Sequence, residues 1–176
     1  MSINVPEKHW WAVPLDKDEK TWVTVALIWS LLLTIMMPWW HITGDQNVSK
    51  EYYKISAEAF DRLTDEFIDA HQVGEEAGFP VVAPPANSDV FLRASQYSWE
   101  PVLKLKLNQT YRLHLGSMDV NHGFSVLPIN INFQVVPGWD HVLTITPTTS
   151  GEFFIVCNEF CGIGHHTMIG KIYVES

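Results

Sequence analysis

Residues 157–168 read Cys157-Asn158-Glu159-Phe160-Cys161-Gly162-Ile163-Gly164-His165-His166-Thr167-Met168 and hold both cysteines of the chain. Thiolate and thioether sulfur are soft ligands, and imidazole suits copper well. A loop that converges all three ligand types on one point is a copper loop before it is anything else. A disulfide across the same pair would close so short a loop that it constrains little of the unfolded chain. It would also leave His165 and Met168 without a role.

Around this loop lies a chain of 176 residues with net charge −9, long enough for one compact domain plus an accessory segment. The negative charge excludes nucleic acid as a partner. Charge is unevenly spread: residues 41–88 carry 3 basic and 9 acidic side chains, whereas residues 89–176 carry 5 basic and 7 acidic.

Residues 22–40, WVTVALIWSLLLTIMMPWW, contain no charged side chain. Nineteen residues make roughly 28 Å of helix, close to a hydrocarbon core of about 30 Å. Trp10, Trp11 and Trp22 lie before or at the start of the run, and Trp39 and Trp40 close it, as an aromatic belt requires. Pro38 falls in the last turn, where a membrane helix best tolerates it. The 21 residues ahead are too long and too acidic for the basic segment of a signal peptide. The expectation is therefore a single membrane helix over 22–40 after a cytoplasmic segment over 1–21. Lys8, Lys17 and Lys20 before it and Lys50 and Lys54 after it do not set its orientation.

Residues 41–88 read as an acidic connector. Ser56 to Gln72 has helical spacing: Phe60, Leu63 and Phe67 form an apolar stripe, and Asp61, Asp65 and Asp69 form an acidic one. Ser56 suits an N-cap and Gly74 a stop. Gly78 to Asn87 reads as a proline-rich linker. From Asp89 the pattern changes to period two. Leu103, Leu105 and Leu107 alternate with Lys104 and Lys106, and Tyr111, Leu113 and Leu115 alternate with Arg112 and His114. Further short strands are predicted at 123–126, 131–136, 141–146, 152–156 and 169–174, with turns at Pro137-Gly138 and Thr148 to Gly151. Many short strands at close spacing predict an antiparallel β-sandwich or barrel over residues 89–176.

A site with two cysteines can hold zinc, one copper or two. Zinc would take both cysteines and both loop histidines and leave Met168 idle. One blue copper would take a single cysteine, two histidines and a weak axial methionine, leaving a cysteine over. Two coppers bridged by both thiolates use every ligand and need a second imidazole from elsewhere. His122 is the best candidate, because it starts a strand after a polar turn and so sits at one end of the sandwich. His114 alternates outward with Arg112 and is expected to be solvated. His141 follows a turn and is expected at the surface, and His166 points away if His165 is bound.

The form C-x-E-x-C-x-x-x-H-x-x-M resembles the binuclear CuA loop of subunit II of heme-copper oxidases. Ser117-x-Asp119-Val120-x-His122-x-Phe124-x-Val126 resembles that family's upstream histidine motif. Asn130-Ile131-Asn132-Phe133-x-Val135-x-Pro137-Gly138 resembles the segment between them, although Gln134 stands where many relatives carry a carboxylate. Gln96-Tyr97-x-Trp99 resembles the family's aromatic segment where electrons are taken up. The single helix ahead of the domain resembles the branch whose subunit II has one membrane helix.

The resemblance implies an all-β cupredoxin, a Greek-key sandwich, behind one N-terminal transmembrane helix and a short helical connector. It implies that Cys157 and Cys161 bridge both coppers. His122 and Met168 would complete one copper, and His165 with the Glu159 backbone carbonyl the other. In the family the glutamate side chain also serves a magnesium ion shared with subunit I, and Glu159 is present for that role. Tyr97 and Trp99 would mark the electron-uptake face. Nothing in the chain supplies a nucleophile or an acid–base pair, so it reads as an electron relay. Electrons would come from a c-type cytochrome or similar small redox donor. Oxygen chemistry would belong to a heme-bearing subunit I. The implied location is a bacterial or archaeal cell membrane, with the copper domain on the periplasmic side. Two other readings fit parts of the pattern: the CuA subunit of a nitric oxide reductase, and a copper-delivery chaperone. The chaperone would need proline after the second cysteine, where this chain has Gly162.

Overall fold

The computed structural model describes residues 8–44, 51–129 and 131–176. Asn130, and residues 1–7 of the expected cytoplasmic segment, lie outside the described residues, as does Lys50. The chain divides into two units, Met1–Gln46 and Asn47–Ser176.

In the first unit, helix α1 spans Lys17–Thr43, 27 residues. It extends past the expected 22–40 at both ends. Asp16 starts it with a capping box: its carboxylate accepts the Glu19 N–H at 2.7 Å, and the Glu19 carboxylate accepts the Asp16 N–H at 3.1 Å. Apolar side chains cover every side of the helix, and the hydroxyls of Thr21, Thr24, Thr34 and Thr43 donate to carbonyls one turn back. A helix apolar all round, with these threonine hydroxyls satisfied internally, suits a hydrocarbon surrounding.

The second unit is a sandwich of two sheets. Its strands are β1 (Glu51–Lys54), β2 (Gln72–Glu76), β3 (Phe79–Val82), β4 (Asp89–Ser95), β5 (Ser98–Glu100) and β6 (Val102–Lys106). They continue with β7 (Tyr111–Ser117), β8 (His122–Leu127), β9 (Ile131–Val135), β10 (Trp139–Ile145), β11 (Gly151–Cys157) and β12 (Ile169–Glu175). One sheet has the order β1-β10-β7-β4-β5 and the other β2-β3-β6-β12-β11-β8-β9. The sandwich is mixed rather than antiparallel: β4 runs parallel to β7, and β6 runs parallel to both β12 and β3. Leu92, Leu103, Leu105, Leu113, Leu115, Phe124 and Ile155 fill the space between the sheets.

Several expectations need correction here. The boundary expected at Asp89 falls inside this unit, because β1, β2 and β3 from the acidic stretch pair into the sheets. Helix α2 (Ala57–His71), which packs on β4, also comes from that stretch. Ser56 does cap α2, accepting the Ala59 N–H at 3.2 Å, but the helix ends at His71 with Gln72 as its C-cap, short of Gly74. Its buried face is Phe60, Thr64, Phe67 and Ile68, while Leu63 is exposed. The acidic stripe is not a free surface: Asp61 and Asp65 meet the Arg93 Nη1 atom of β4 at 2.7 and 2.6 Å.

A further correction is His114. Expected in solvent, it is 7% exposed. Helix α2 covers the outer face of its sheet, and Phe91 reaches between Phe60 and Phe67 of the helix and the His114 ring, stacking on that ring at 4.6 Å. A strand covered on both faces loses its period-two signature. His141 is likewise half-buried rather than at the surface, and its Nε2 accepts the Val136 N–H at 3.3 Å.

Candidate metal centre

One end of the sandwich collects the expected donors. His122 opens β8, Cys157 closes β11, and Met168 immediately precedes β12. Cys157 lies opposite Phe124 in the β8–β11 ladder, which brings the end of β11 against the start of β8. Backbone bonds then clamp the loop. The Cys157 N–H donates to Met168 O at 3.2 Å, and the Asn158 N–H to Gly123 O at 3.3 Å. A single 3-10 turn over His165–Thr167 folds the loop back, with the Met168 N–H reaching His165 O at 3.2 Å. Gly123 is required for this closure, because a Cβ there would overlap Asn158 Oδ1 and stand 2.7 Å from the Glu159 nitrogen.

The donors face one another. Cys157 Sγ and Cys161 Sγ are 3.8 Å apart, well beyond a disulfide bond of about 2.05 Å. His122 Nδ1 is 3.8 Å from Cys157 Sγ, and His165 Nδ1 is 3.6 Å from Cys161 Sγ. Met168 Sδ is 3.8 Å from Cys161 Sγ, and Glu159 O is 3.2 Å from Cys157 Sγ. Sulfur and nitrogen ligands sharing a tetrahedral metal, with bonds of about 2.0–2.3 Å, stand about 3.5–3.8 Å apart. The spacing therefore fits metal ligation with little rearrangement. His122, Cys157 and Cys161 form a buried group whose ligand atoms all lie within 4.8 Å. The soft thioether of Met168, 1% exposed, adds a donor that favours copper over harder ions. His166 is exposed.

Electrostatics prepares these ligands. His122 is fully buried, and its Nε2 lies 2.7 Å from Asp119 Oδ1. With Nε2–H donating to this carboxylate, the Nδ1 lone pair is turned towards Cys157. Burial works to raise the Asp119 pKa, but bonds from His122 and from the Gln96 and Val120 N–H groups hold it below the usual value. Burial first, and then the Cys157 sulfur, push the Cys161 thiol up to about 11. Ligation must therefore release that proton.

Of the two aromatics expected at the uptake face, only Tyr97 reaches solvent. Trp99 is 2% exposed and packs edge-on to His122, with ring centroids 6.1 Å apart, so it is no part of a docking surface. In the loop that carries Cys161, Phe160 and Ile163 are 80% and 92% exposed, and the Phe160 ring lies 5.9 Å from that of His165. Asp119 stands in the stretch Ser117-x-Asp119-Val120-x-His122. An aspartate three residues ahead of a candidate histidine is a usable signal for such a partner.

The family model for the periplasmic domain of cytochrome c oxidase subunit II matches residues 93–176. Cytochrome c oxidase subunit 2 of Thermus thermophilus is 34% identical over 52% of this chain and 68% of its own length. The matched stretch spans 55% and 38% of the length of two other curated subunit 2 relatives. Among solved structures, a chain of a heme-copper terminal oxidase dimer matches with TM-score 0.54 and 25% identity, over 90% of this chain and all of its own. Rusticyanin from Thiobacillus ferrooxidans matches with TM-score 0.53 and 17% identity, over 73% of this chain and 99% of its own, which shows the cupredoxin-like fold.

Proposed function

Because this chain belongs to the cytochrome c oxidase subunit II family, we propose that it is the electron-relay subunit of a membrane heme-copper oxidase. It takes electrons from a c-type cytochrome or a similar small redox protein. It hands them to a heme-bearing subunit I, where oxygen is reduced. Helix α1 is its single membrane anchor, and the β-sandwich stands on the periplasmic side.

The observation that carries this reading is the paired arrangement of donors. Two sulfurs 3.8 Å apart each have an imidazole Nδ1 against them, and each has a further donor, Glu159 O or Met168 Sδ. Such a donor set would suit a binuclear CuA centre, which Cys157, Cys161, His122, His165, Met168 and the Glu159 carbonyl would hold between them. When bound, such a centre supplies one-electron redox chemistry with little change in bond lengths. The protein's part is to hold the ligands still. Asp119 fixes the His122 ring, the loop's backbone bonds fix Cys157 and Met168, and the sandwich core under Phe124 keeps water away. Rigid, dry ligands lower the reorganisation that electron transfer requires. Glu159, half-exposed beside the cluster, is available to a magnesium ion shared with subunit I.

Metal analysis of the full chain in detergent tests the site. The expected result is two coppers per chain. One copper per chain, or zinc in the native complex, overturns the binuclear reading. Oxygen against nitric oxide consumption by the co-purified complex then decides the terminal acceptor.

A further inference from the structure

Gln96 stands outside the ligand set, yet it is bonded to both segments that build the cluster. It occupies the two-residue turn Gln96-Tyr97 between β4 and β5, where Ser95 pairs with Ser98. Its backbone N–H donates to Asp119 Oδ2 at 2.7 Å, while Asp119 Oδ1 holds His122. Its side-chain amide donates to the backbone carbonyl of Cys161. The neighbouring loop is pressed against the same turn. A Cβ at Gly162 would lie 2.9 Å from Gln96 Nε2 and 2.6 Å from the Tyr97 hydroxyl, and one at Gly164 would lie 2.5 Å from the Tyr97 ring. One residue thus ties the strand-borne histidine, through its carboxylate, to the loop that carries Cys161, His165 and Met168.

We propose that Gln96 is a positioning residue that sets the separation between the His122 side and the Cys161 side of the cluster. The argument is geometric. His122 is fixed by β8, and Cys157 by β11. Cys161 lies four residues further on, in a loop with no strand partner of its own, between Asn158 and the turn at His165. The Cys161 N–H and C=O take no part in the backbone bonds that clamp the loop at either end. The bond from Gln96 is therefore the tether placed at the bridging cysteine itself. Backbone and side chain of Gln96 act on different segments, so a side-chain substitution cuts one tie and leaves the other.

The inference rests on the copper reading above, but its test has an arm free of metal. Gln96→Met keeps the length and the backbone N–H but removes the amide donor. Ser98→Ala, in the same turn, removes only the Ser95–Ser98 hydroxyl contact of 3.1 Å and is the control for a loosened hairpin. In the full chain in detergent, without metal, Gln96→Met is expected to speed amide hydrogen exchange in residues 158–166 by about five- to tenfold, the effect of one lost hydrogen bond. Exchange in β6, β7 and β12 should stay unchanged. In the copper-loaded chain the same variant should lose metal to a chelator several-fold faster. Its copper hyperfine pattern should also become less symmetric. Ser98→Ala should match the wild type in every readout. Loop exchange at the wild-type rate in Gln96→Met, or an equal acceleration by Ser98→Ala, overturns the proposal. If the wild type takes up no pair of coppers, the copper reading fails while the exchange arm still decides the role of Gln96.

Discussion

Two buried histidines of this molecule each sit 2.7 Å from a carboxylate, and they do opposite things. His122, at the end of β8, gives Nε2 to Asp119 and keeps Nδ1 turned towards Cys157. His114, in the middle of β7, gives Nδ1 to Asp140 and places Nε2 3.3 Å from Asp89. Both ring nitrogens of His114 are therefore committed to carboxylates, and no lone pair is left for a metal. Burial and an aspartate partner do not make a ligand; a free ring nitrogen facing soft donors does. The first region offers a lone pair among soft donors, and the second holds a charge between strands.

The sharpest way to break this comparison is to remove each ring. His122→Ala should abolish the spectrum of the copper centre, with loss of at least half the bound metal, because the cluster loses one of two imidazoles. His114→Ala should leave the spectrum of the folded fraction unaltered. Cys161→Ser should be as damaging as His122→Ala, and Met168→Leu milder, since an axial thioether bond is weak. Visible and electron paramagnetic spectra of the four variants, read with copper content, check the ranking. Spectral damage from His114→Ala in a protein that folds normally would place that ring in the wrong region.

A second and smaller effect sharpens the structural half. Burial works to lower the His114 pKa, but the bonds and charges of Asp140 on β10 and Asp89 on β4 win and raise it. Asp89 is shared with Arg112 at 2.8 Å, and Arg112 also meets Glu51 of β1 at 2.5 Å, so these are the charged groups around the ring. A raised pKa in the folded state means that the imidazolium contributes its stability fully below the unfolded value of about 6.5. That contribution is lost as pH rises through the folded value. His114→Gln leaves the buried Asp140 carboxylate without its cation and should cost about 3 kcal/mol at pH 6. The melting temperature of the wild type should fall more steeply between pH 6.5 and 9 than that of His114→Gln. Parallel curves would remove the charge from the account.

How legible these regions were follows from how local their determinants are. The soft donors of the loop sit within twelve residues, so their types and spacing are legible in the sequence, and folding adds only that they face one another. His122 could be chosen because it begins a strand beside a polar turn. The run from Trp22 to Trp40 announced α1 because an uncharged stretch needs no partner to be recognised. The burial of His114 was hidden because it depends on α2 covering the second face of the sheet, a contact between residues far apart in sequence. Strand β3 was hidden by Pro80, which suggested a linker; its pairing with β6 involves Val81 and Val82, and Pro80 itself stands opposite Glu75 of β2. Trp99 carried a motif for electron uptake, but whether an aromatic faces out or in is settled by packing, here against Phe124 at 5.6 Å.

The smallest expected effect concerns the acidic helix, which belongs with His114 as a place where charge holds structure. Asp61 and Asp65 of α2 share one Arg93 atom, and Glu100 takes another at 2.9 Å. The aspartates are half-exposed, so each pair is worth no more than about 1 kcal/mol. Arg93 spends part of their charge, which leaves α2 a poor beacon for a cationic donor. Beside Cys161 the exposed groups Phe160, Ile163 and the edge of Tyr97 are instead apolar. A donor that docks there gains from desolvation and is insensitive to screening, whereas one steered by the acidic stretch slows steeply with salt. Asp61→Asn with Asp65→Asn should therefore lower the melting temperature slightly and change the rate of reduction by the native donor less than twofold. Phe160→Ala should slow it more, with the copper spectrum intact. Trp99→Ala is a poor probe of docking, because the ring is buried against His122 and its loss disturbs the ligand. Stopped-flow reduction across ionic strength decides between the modes. A drop of more than tenfold from low to physiological salt would move the donor from the apolar face to the acidic helix.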